Sequence, residues 1–303
     1  MDELQRSIYG ERFRLKFLTQ KGTAFQDWFV QLAGHAFGPD FEEVRPYGAF
    51  GDLKCDGRRI STGSIFQCYA PETMKEADLI NKVDRDFKGA CAHWAGKMQE
   101  WVFVHNDGRG LPPNAVQHMD ALRKAHAPLR IVTWSEPELF DLTMKLDLSA
   151  LQALFGYAAS IAIVDRLVMS DLVPIIESLQ RREPNLTDPP LTPPSLEKLK
   201  KNALSEESGL FLRIGRRKSM LVDTYFRKNL SHDLGERIAE AFRQRYAVLK
   251  ALDLPPDTIF KHFQDFAGFD GEPKRQGAAL AVIVYFFDSC DIFEDPVISA
   301  EAS

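Results

Sequence analysis

The spacing of apolar residues changes between helical and strand periods several times in the first part of the chain. Between residues 23 and 37 apolar positions recur every three or four residues, which predicts an amphipathic helix ended by Gly38 and Pro39. Short β-type runs at 41–47 and 53–60 come next. A turn at 61–63 then leads into the apolar strand 64–69, so the last two runs predict a hairpin.

Helical and strand patterns then alternate up to about residue 155. Helices are predicted at 74–87, continuing toward 98, at 114–125 and from 135 to 151, with strands at 101–104 and 129–133. Ser135 with Glu138 forms the capping box that opens the third of these helices. Strands that alternate with helices predict a mixed sheet with helices packed on it.

Beyond residue 155 the strand patterns fade and helical ones dominate. Helices are predicted at 158–179 (bent at Pro174), 196–203, 220–229, 234–252, 257–266 and 277–287. Five prolines between residues 183 and 195 predict an extended arm, because proline at that density fits neither a helix nor a central strand. We therefore divide the chain into an α/β domain at 1–155 and a helical domain at 156–303 that carries this arm.

Composition and charge narrow the class of protein. The 303 residues are 45% hydrophobic, enough for two domains with buried cores, and no window holds the roughly 20 apolar residues of a membrane helix. We expect a cytoplasmic protein that makes no membrane contact. The net charge of −5 argues against a protein that coats nucleic acid through its overall field, but it permits local contact.

Several polar residues are assigned ordinary roles. The four cysteines lack C-x-x-C spacing and are expected to be free thiols, and the histidines have no metal-ligand spacing. The basic runs 213–218 and 198–201 predict solvated faces. Asp84 and Asp86 are assigned to the solvated face of their helix.

The segment 51–57 and the strand after it carry the candidate chemistry. Asp52, Lys54 and Asp56 lie on a turn, and Gln67 lies inside an otherwise apolar strand on the other arm of the hairpin. Mg²⁺ takes oxygen ligands, often one or two carboxylates with waters and substrate phosphates. A solvent-facing β-turn would also contain Asp and Gly. Gln67 argues against that alternative, because burying an unpaired amide costs about 1–3 kcal/mol.

These residues resemble the active-site motif of Mrr-type restriction endonucleases, a branch of the PD-(D/E)xK nuclease fold. That branch has D-x-G-x-D-G followed by Q-x-K or E-x-K, after a helix with G-x-x-F-E. The resemblance implies a restriction-endonuclease-like fold and metal-assisted hydrolysis of DNA phosphodiester bonds with Mg²⁺ or Mn²⁺. Asp56 and Gln67 would be its metal-site residues.

The remaining motif positions depart from the family pattern. Tyr69 stands where the family has its lysine, and Gln26 stands where the helix usually carries glutamate. Lys54 is the candidate for the missing cation, because lysine is a compact charge on a flexible stem. Asp52, Gln26 and Tyr69 are assigned supporting roles.

The whole chain resembles the effector subunit of bacterial ABC-three-component, Lamassu-like anti-phage systems. The hairpin and the ending Y-F-F-D-S-C-D-I-F-E carry this resemblance. It implies an SMC/ABC-type ATPase and a small middle component as partners, and a homo-oligomer is a further expectation. The apolar segment 279–294 is either a core helix or a partner-binding surface.

Two hypotheses follow for the function. The first is a metal-dependent DNA endonuclease that is gated by the ATPase partner. The second is an assembly or nucleic-acid-binding module that kept the nuclease fold and lost its chemistry. The position of Lys54 relative to Asp56 and Gln67 separates them.

Overall fold

The computed structural model describes residues 1–44, 54–181, 204–229, 233–289 and 293. The chain forms two compact units, which we call the sheet unit (Tyr9–Gly156) and the helical unit (Met1–Ile8 with Tyr157–Ser303). The domain boundaries drawn from the sequence stay predictions, and the proline-rich arm at 183–195 lies outside the described residues. Among the described residues, no helix has the length and apolar character needed to cross a membrane.

The sheet unit contains five strands and most of the helices predicted for it. Its strands are β1 (Phe41–Glu43), β2 (Gly57–Arg59), β3 (Ser64–Tyr69), β4 (Glu100–His105) and β5 (Arg130–Trp134). Its helices are α1 (Glu3–Thr19, begun in the helical unit), α2 (Gly22–Phe37), α3 (Glu76–His93), α4 (Pro113–Ala125), α5 (Glu136–Met144) and α6 (Leu148–Phe155).

The strands form one mixed sheet in the order β1-β2-β3-β4-β5. The first three strands pair antiparallel, and Gly63 closes the β2–β3 hairpin at φ +62°, a backbone conformation that favours glycine. The last three pair parallel, because α3 and α4 supply the crossovers that parallel neighbours need. The predicted mixed sheet with flanking helices is therefore confirmed, whereas its restriction-endonuclease-like identity stays a prediction.

Side chains alternate along the strands and so divide the core into two layers. Phe66 and Val102 belong to an aromatic-rich cluster with α1, α2, α5 and α6. Their neighbours Ile65 and Phe103 belong to a second cluster with α3 and α4. We call these sides the aromatic face and the α3 face of the sheet.

Two helix predictions in the sheet unit were wrong. The helix α1 was not predicted, although its buried residues Leu4, Ile8, Tyr9, Phe13 and Phe17 recur at helical spacing. The helix predicted from 135 to 151 is two helices, because the carboxylate of Asp147 accepts a hydrogen bond from Ala150 N and caps a new start at α6. The capping box of Ser135 and Glu138 is confirmed.

The helical unit packs its helices around one buried segment. It contains α7 (Ile161–Asp165), α8 (Met169–Gln180), α9 (Glu206–Arg216), α10 (Ser219–Lys228), α11 (Leu234–Ala251), α12 (Pro256–Phe266) and α13 (Pro273–Asp288). The single bent helix predicted at 158–179 is instead α7 and α8. In α13 nearly every residue from Gln276 to Phe287 is buried, so this segment is a core helix rather than a surface. Gly215 allows its close approach to α9, since a Cβ there would lie 2.7 Å from Leu280 O.

The basic run of the helical unit is neutralised within it. Arg213 pairs with Glu3, Arg216 with Asp288 and Arg217 with Asp165. Lys218 Nζ donates to Leu167 O over 3.2 Å. This run therefore joins helices of the unit as well as facing solvent. The second run, 198–201, lies outside the described residues.

Candidate functional site

The β2–β3 hairpin brings Asp56 and Gln67 into contact. Gly57 is opposite Phe66 in the antiparallel register, which places Asp56 opposite Gln67. The side-chain Nε2 of Gln67 donates to Asp56 Oδ2 over 2.9 Å, and the backbone N–H of Cys68 donates to the same oxygen over 2.6 Å. Both Asp56 and Gln67 are only 2% exposed. The two metal-site candidates are thus neighbours in a buried position.

One atom of this pair has no hydrogen-bond partner among the described residues. Gln67 Oε1 is buried and unpaired. An acceptor in this state costs about 1–3 kcal/mol, so it calls for an explanation such as a bound water or ion. Among the described residues, the side-chain oxygen of Gln67 is therefore the atom of this hairpin that lacks a hydrogen-bond donor or a metal ion.

A second polar group lies on α3, which covers the same side of the sheet. The side chain of Asp86 is fully buried and forms an ion pair with Lys82. Lys54 Nζ lies 3.9 Å from Asp86 Oδ1, and Arg85 Nε lies 3.4 Å from the same oxygen. The assignment of Asp86 to a solvated face was wrong, because this residue follows the buried positions of α3 at helical spacing.

Lys54 therefore faces the protein rather than open solvent. Its backbone φ of 55° directs the chain into a turn, and its side chain is 36% exposed. The ion pair that the structure gives it is with Asp86, on the helix beside the hairpin. Lys54 thus lies two residues before Asp56 and contacts the neighbouring helix.

The two thiols that flank this hairpin are held in their neutral form. Burial raises the pKa of the Cys55 thiol to about 12, and the nearby charge of Asp56 adds to that rise. Burial also raises the pKa of Cys68 well above its ordinary value, with Asp56 adding to the rise and Lys82 opposing it. A thiol is nucleophilic as the thiolate, so neither group is a nucleophile here.

The other sequence candidates lie further from this contact or outside the described residues. Tyr69 points to the same face as Gln67, and its pKa is raised by burial first and then by Asp78. Gln26 is partly exposed on α2, which packs on the aromatic face, opposite the side of Gln67. Asp52 falls in the segment 45–53 outside the described residues.

Sequence reasoning missed Lys82, Asp86 and His105. The first two are separated by one helical turn, and Asp86 continues the apolar positions of an amphipathic helix, which is a readable signal of burial. His105 ends β4 beside Tyr69 and is 1% exposed. Its pKa is lowered by burial, against the opposing charges of Asp107 and Glu138.

A cleft of the sheet unit opens elsewhere, at the carboxyl ends of the parallel strands. Its volume is about 530 Å³, and Glu72, Asp107 and Glu136 are among its lining residues. Glu72 follows β3, and Asp107 follows β4, so the topology of the sheet gathers them there. Neither Asp56 nor Gln67 lines this cleft, which separates it from the hairpin.

The residues at the hairpin fit a small divalent cation in their chemistry, because a carboxylate and an amide oxygen are ligand types that Mg²⁺ takes. The 2.9 Å between Gln67 Nε2 and Asp56 Oδ2 is the length of an ordinary hydrogen bond. Turning that amide by 180°, which exchanges its O and N, would present Oε1 beside the carboxylate. Among the described residues, no three His, Cys, Asp or Glu side chains cluster as metal ligands, so Gln67 would have to serve.

Comparison with known proteins identifies the class of the C-terminal part. Residues 170–294 match the family model of C-terminal domain 10 of the ABC-three component (ABC-3C) systems. The match begins in α8 and extends past α13, so it lies wholly in the helical unit. No curated protein and no solved structure matches the chain.

The match supports the assignment of residues 170–294 to a domain of ABC-three component systems, which consist of several components. It does not reach the sheet unit. The Mrr-like nuclease identity of the sheet unit therefore stays a prediction.

Proposed function

We propose that this chain is the effector of an ABC-three component anti-phage system and that its sheet unit is a metal-dependent DNA endonuclease. The helical unit joins it to an SMC/ABC-type ATPase, with a small middle component in the same assembly. The contact between Asp56 and Gln67 at the β2–β3 hairpin carries the proposal for the sheet unit. The ABC-3C match of residues 170–294 supports the proposal for the helical unit.

The residues of the hairpin have distinct parts in this proposal. Asp56 and the Gln67 amide hold Mg²⁺ or Mn²⁺, and the Cys68 N–H keeps the Asp56 carboxylate in place through its 2.6 Å hydrogen bond. When bound, the ion acidifies a water molecule and stabilises negative charge on the phosphate. Lys54, whose ammonium group lies 3.9 Å from Asp86 Oδ1, would add positive charge where charge develops in the transition state. Tyr69, without a charge of its own, borders the site.

A second candidate function is favoured by the burial of the same residues. Asp56 and Gln67 are each only 2% exposed, and the observed amide presents Nε2 rather than Oε1 to the carboxylate. A hairpin whose carboxylate is buried and faces an N–H donor favours a different role for this chain. In that role it would assemble with partners, or bind nucleic acid, without cutting it. Cleavage therefore separates the two candidates.

Plasmid cleavage with Mg²⁺ or Mn²⁺ tests the proposal. Wild-type protein is compared with Asp56→Asn, which keeps one acceptor oxygen for the Cys68 N–H, and with Asp84→Asn on the exposed side of α3 as the control. Each protein is assayed alone and with the ATPase and the middle component.

We expect the wild type and Asp84→Asn to cut and Asp56→Asn to be inactive while remaining folded. Cleavage that requires the partners would support gating by the ATPase. If the wild type cuts under none of these conditions, or if Asp56→Asn cuts as well as the wild type, the nuclease proposal is refuted.

A further inference from the structure

Three cations of the sheet unit converge on a single buried carboxylate. We call this group the α3 cation cluster; it consists of Lys54, Lys82 and Arg85 around Asp86. The three side chains share this carboxylate and lie beside the hairpin that carries Asp56. Lysine and arginine side chains suit the oxygen-rich phosphates of nucleic acid.

The cations of the cluster remain accessible although their shared partner is not. The side chains of Lys54, Lys82 and Arg85 are 36%, 20% and 66% exposed, whereas Asp86 is fully buried. Asp86 therefore pairs with the charged ends of these side chains from beneath the surface. Their exposed portions leave room for a second partner on the solvent side.

Packing holds Lys54 against α3. A Cβ atom at Gly89 would lie only 2.4 Å from Lys54 Cγ, so the side chain of Lys54 lies directly over this glycine. Cys55, the next residue, packs in the same buried cluster as Val83 and Phe87 of α3. The segment that carries Asp56 and the helix that carries Lys82 are thus directly in contact.

We propose that the α3 cation cluster binds the phosphate backbone of duplex DNA next to the Asp56–Gln67 contact. This inference rests on the proposed nucleic-acid-directed function and names the surface that performs it. Lys82 and Lys54 contact phosphates nearest Asp56, and the more exposed Arg85 extends the surface outward along α3. Asp86 positions these cations and does not touch the DNA.

Binding of a fluorescein-labelled DNA duplex, followed by anisotropy in EDTA at several salt concentrations, tests the proposal without any metal-dependent cleavage. Each lost phosphate contact lowers the slope of log K against log salt by about 0.9. The variants are Lys54→Gln, Lys82→Gln and Arg85→Gln. Lys145→Gln is the matched control, because Lys145 is exposed next to α5, on the opposite layer of the unit.

We expect each of the three variants to lower the slope by about 0.9 and Lys145→Gln to leave it unchanged. Lys82→Arg keeps the charge and is expected to retain wild-type binding, which separates lost contact from lost folding. Equal slopes in all the variants, an equal loss in Lys145→Gln, or no binding by the wild type would each overturn the proposal.

The DNA-binding assay and the cleavage assay together distinguish failure of the α3 cation cluster from failure of the proposed nuclease. Altered slopes in the three variants together with no cleavage by the wild type would support the cluster and refute the nuclease. Cleavage by the wild type with unaltered slopes would refute the cluster and leave the nuclease standing.

Discussion

The two faces of the sheet bury side chains of different kinds. The aromatic face is built from rings and aliphatic groups, with Phe66 at 5.3 Å from Trp134 and 5.4 Å from Phe29 between ring centroids. The α3 face has an equally buried apolar cluster but also contains Gln67, Asp86 and His105. Burying polar groups costs free energy unless they are paired. The two faces therefore differ in the polar groups that they bury, and the proposed chemistry would lie on the α3 face.

The largest loss of stability is expected from a substitution on the aromatic face. Phe66→Ala removes a ring that is 1% exposed and contacts several others, so we expect a loss of about 3–5 kcal/mol in the free energy of unfolding. Urea denaturation measures it, with Leu18→Ala as the control because Leu18 is 55% exposed. A loss for Phe66→Ala no larger than that of the control would contradict the layered core.

A smaller loss is expected for the buried carboxylate on the α3 face. Asp86→Ala removes the shared partner of three cations that all retain some contact with water, so we expect a loss of about 2 kcal/mol. The double variant Lys82→Met, Asp86→Leu replaces the ion pair by apolar groups and should regain stability, since such replacements are often neutral or stabilising.

The double variant separates stability from function. We expect it to unfold at a urea concentration near that of the wild type and yet to bind duplex DNA with a reduced salt slope. Wild-type stability together with wild-type DNA binding would make the buried pair dispensable for both, and the proposed contrast between the faces would then be wrong.

The helical unit contains two fully buried glutamines that differ in their hydrogen bonds. Gln276 accepts from Ala159 N and donates to Tyr157 O and Gly271 O, whereas neither side-chain polar atom of Gln264 has a partner among the described residues. We expect Gln276→Leu to cost about 1–3 kcal/mol and Gln264→Leu to be neutral or stabilising. Urea denaturation of both variants checks this. Equal losses would show that buried amides in this unit are not distinguished by their hydrogen bonds.

The smallest effect is a pH dependence from His105. Because burial lowers its pKa, the unfolded chain binds more protons at this site as the pH falls through the ordinary histidine range near 6.5. Its contribution to stability is therefore complete above that range and is lost as the pH falls. Denaturation at pH 7.5 and 5.5 should show a smaller decrease for His105→Asn than for the wild type.

The control for this measurement is His118→Asn, at a partly exposed histidine that contacts Asp84. It should leave the decrease attributed to His105 in place. A decrease in His105→Asn equal to that of the wild type would assign the pH dependence to other groups.

The sequence predicted those features that depend on local pattern. The contact of Asp56 with Gln67 follows from a short turn at 61–63, because hairpin register is set by the turn and by the alternation of side chains. The helical core segment at 279–287 follows from its unbroken apolar run. Both features depend only on residues that are close in the chain or that pair across a single turn.

The features that were missed depend on tertiary packing. Lys54 faces α3 because of a left-handed backbone conformation, which no residue type other than glycine signals reliably. The cations of the α3 cation cluster meet at Asp86 only because α3 packs on the hairpin. The helix α1 is a different case, because its buried residues Leu4, Ile8, Tyr9, Phe13 and Phe17 recur at helical spacing and were readable from the sequence.

Binding of Mn²⁺ to the isolated protein, measured by isothermal titration calorimetry, tests the proposed metal centre most directly, because it requires neither partners nor cleavage. We predict one site in the wild type and in Asp84→Asn, and loss of that site in Asp56→Asn and Gln67→Leu while both remain folded. No binding by the wild type, or undiminished binding by both hairpin variants, would contradict a metal centre at Asp56 and Gln67.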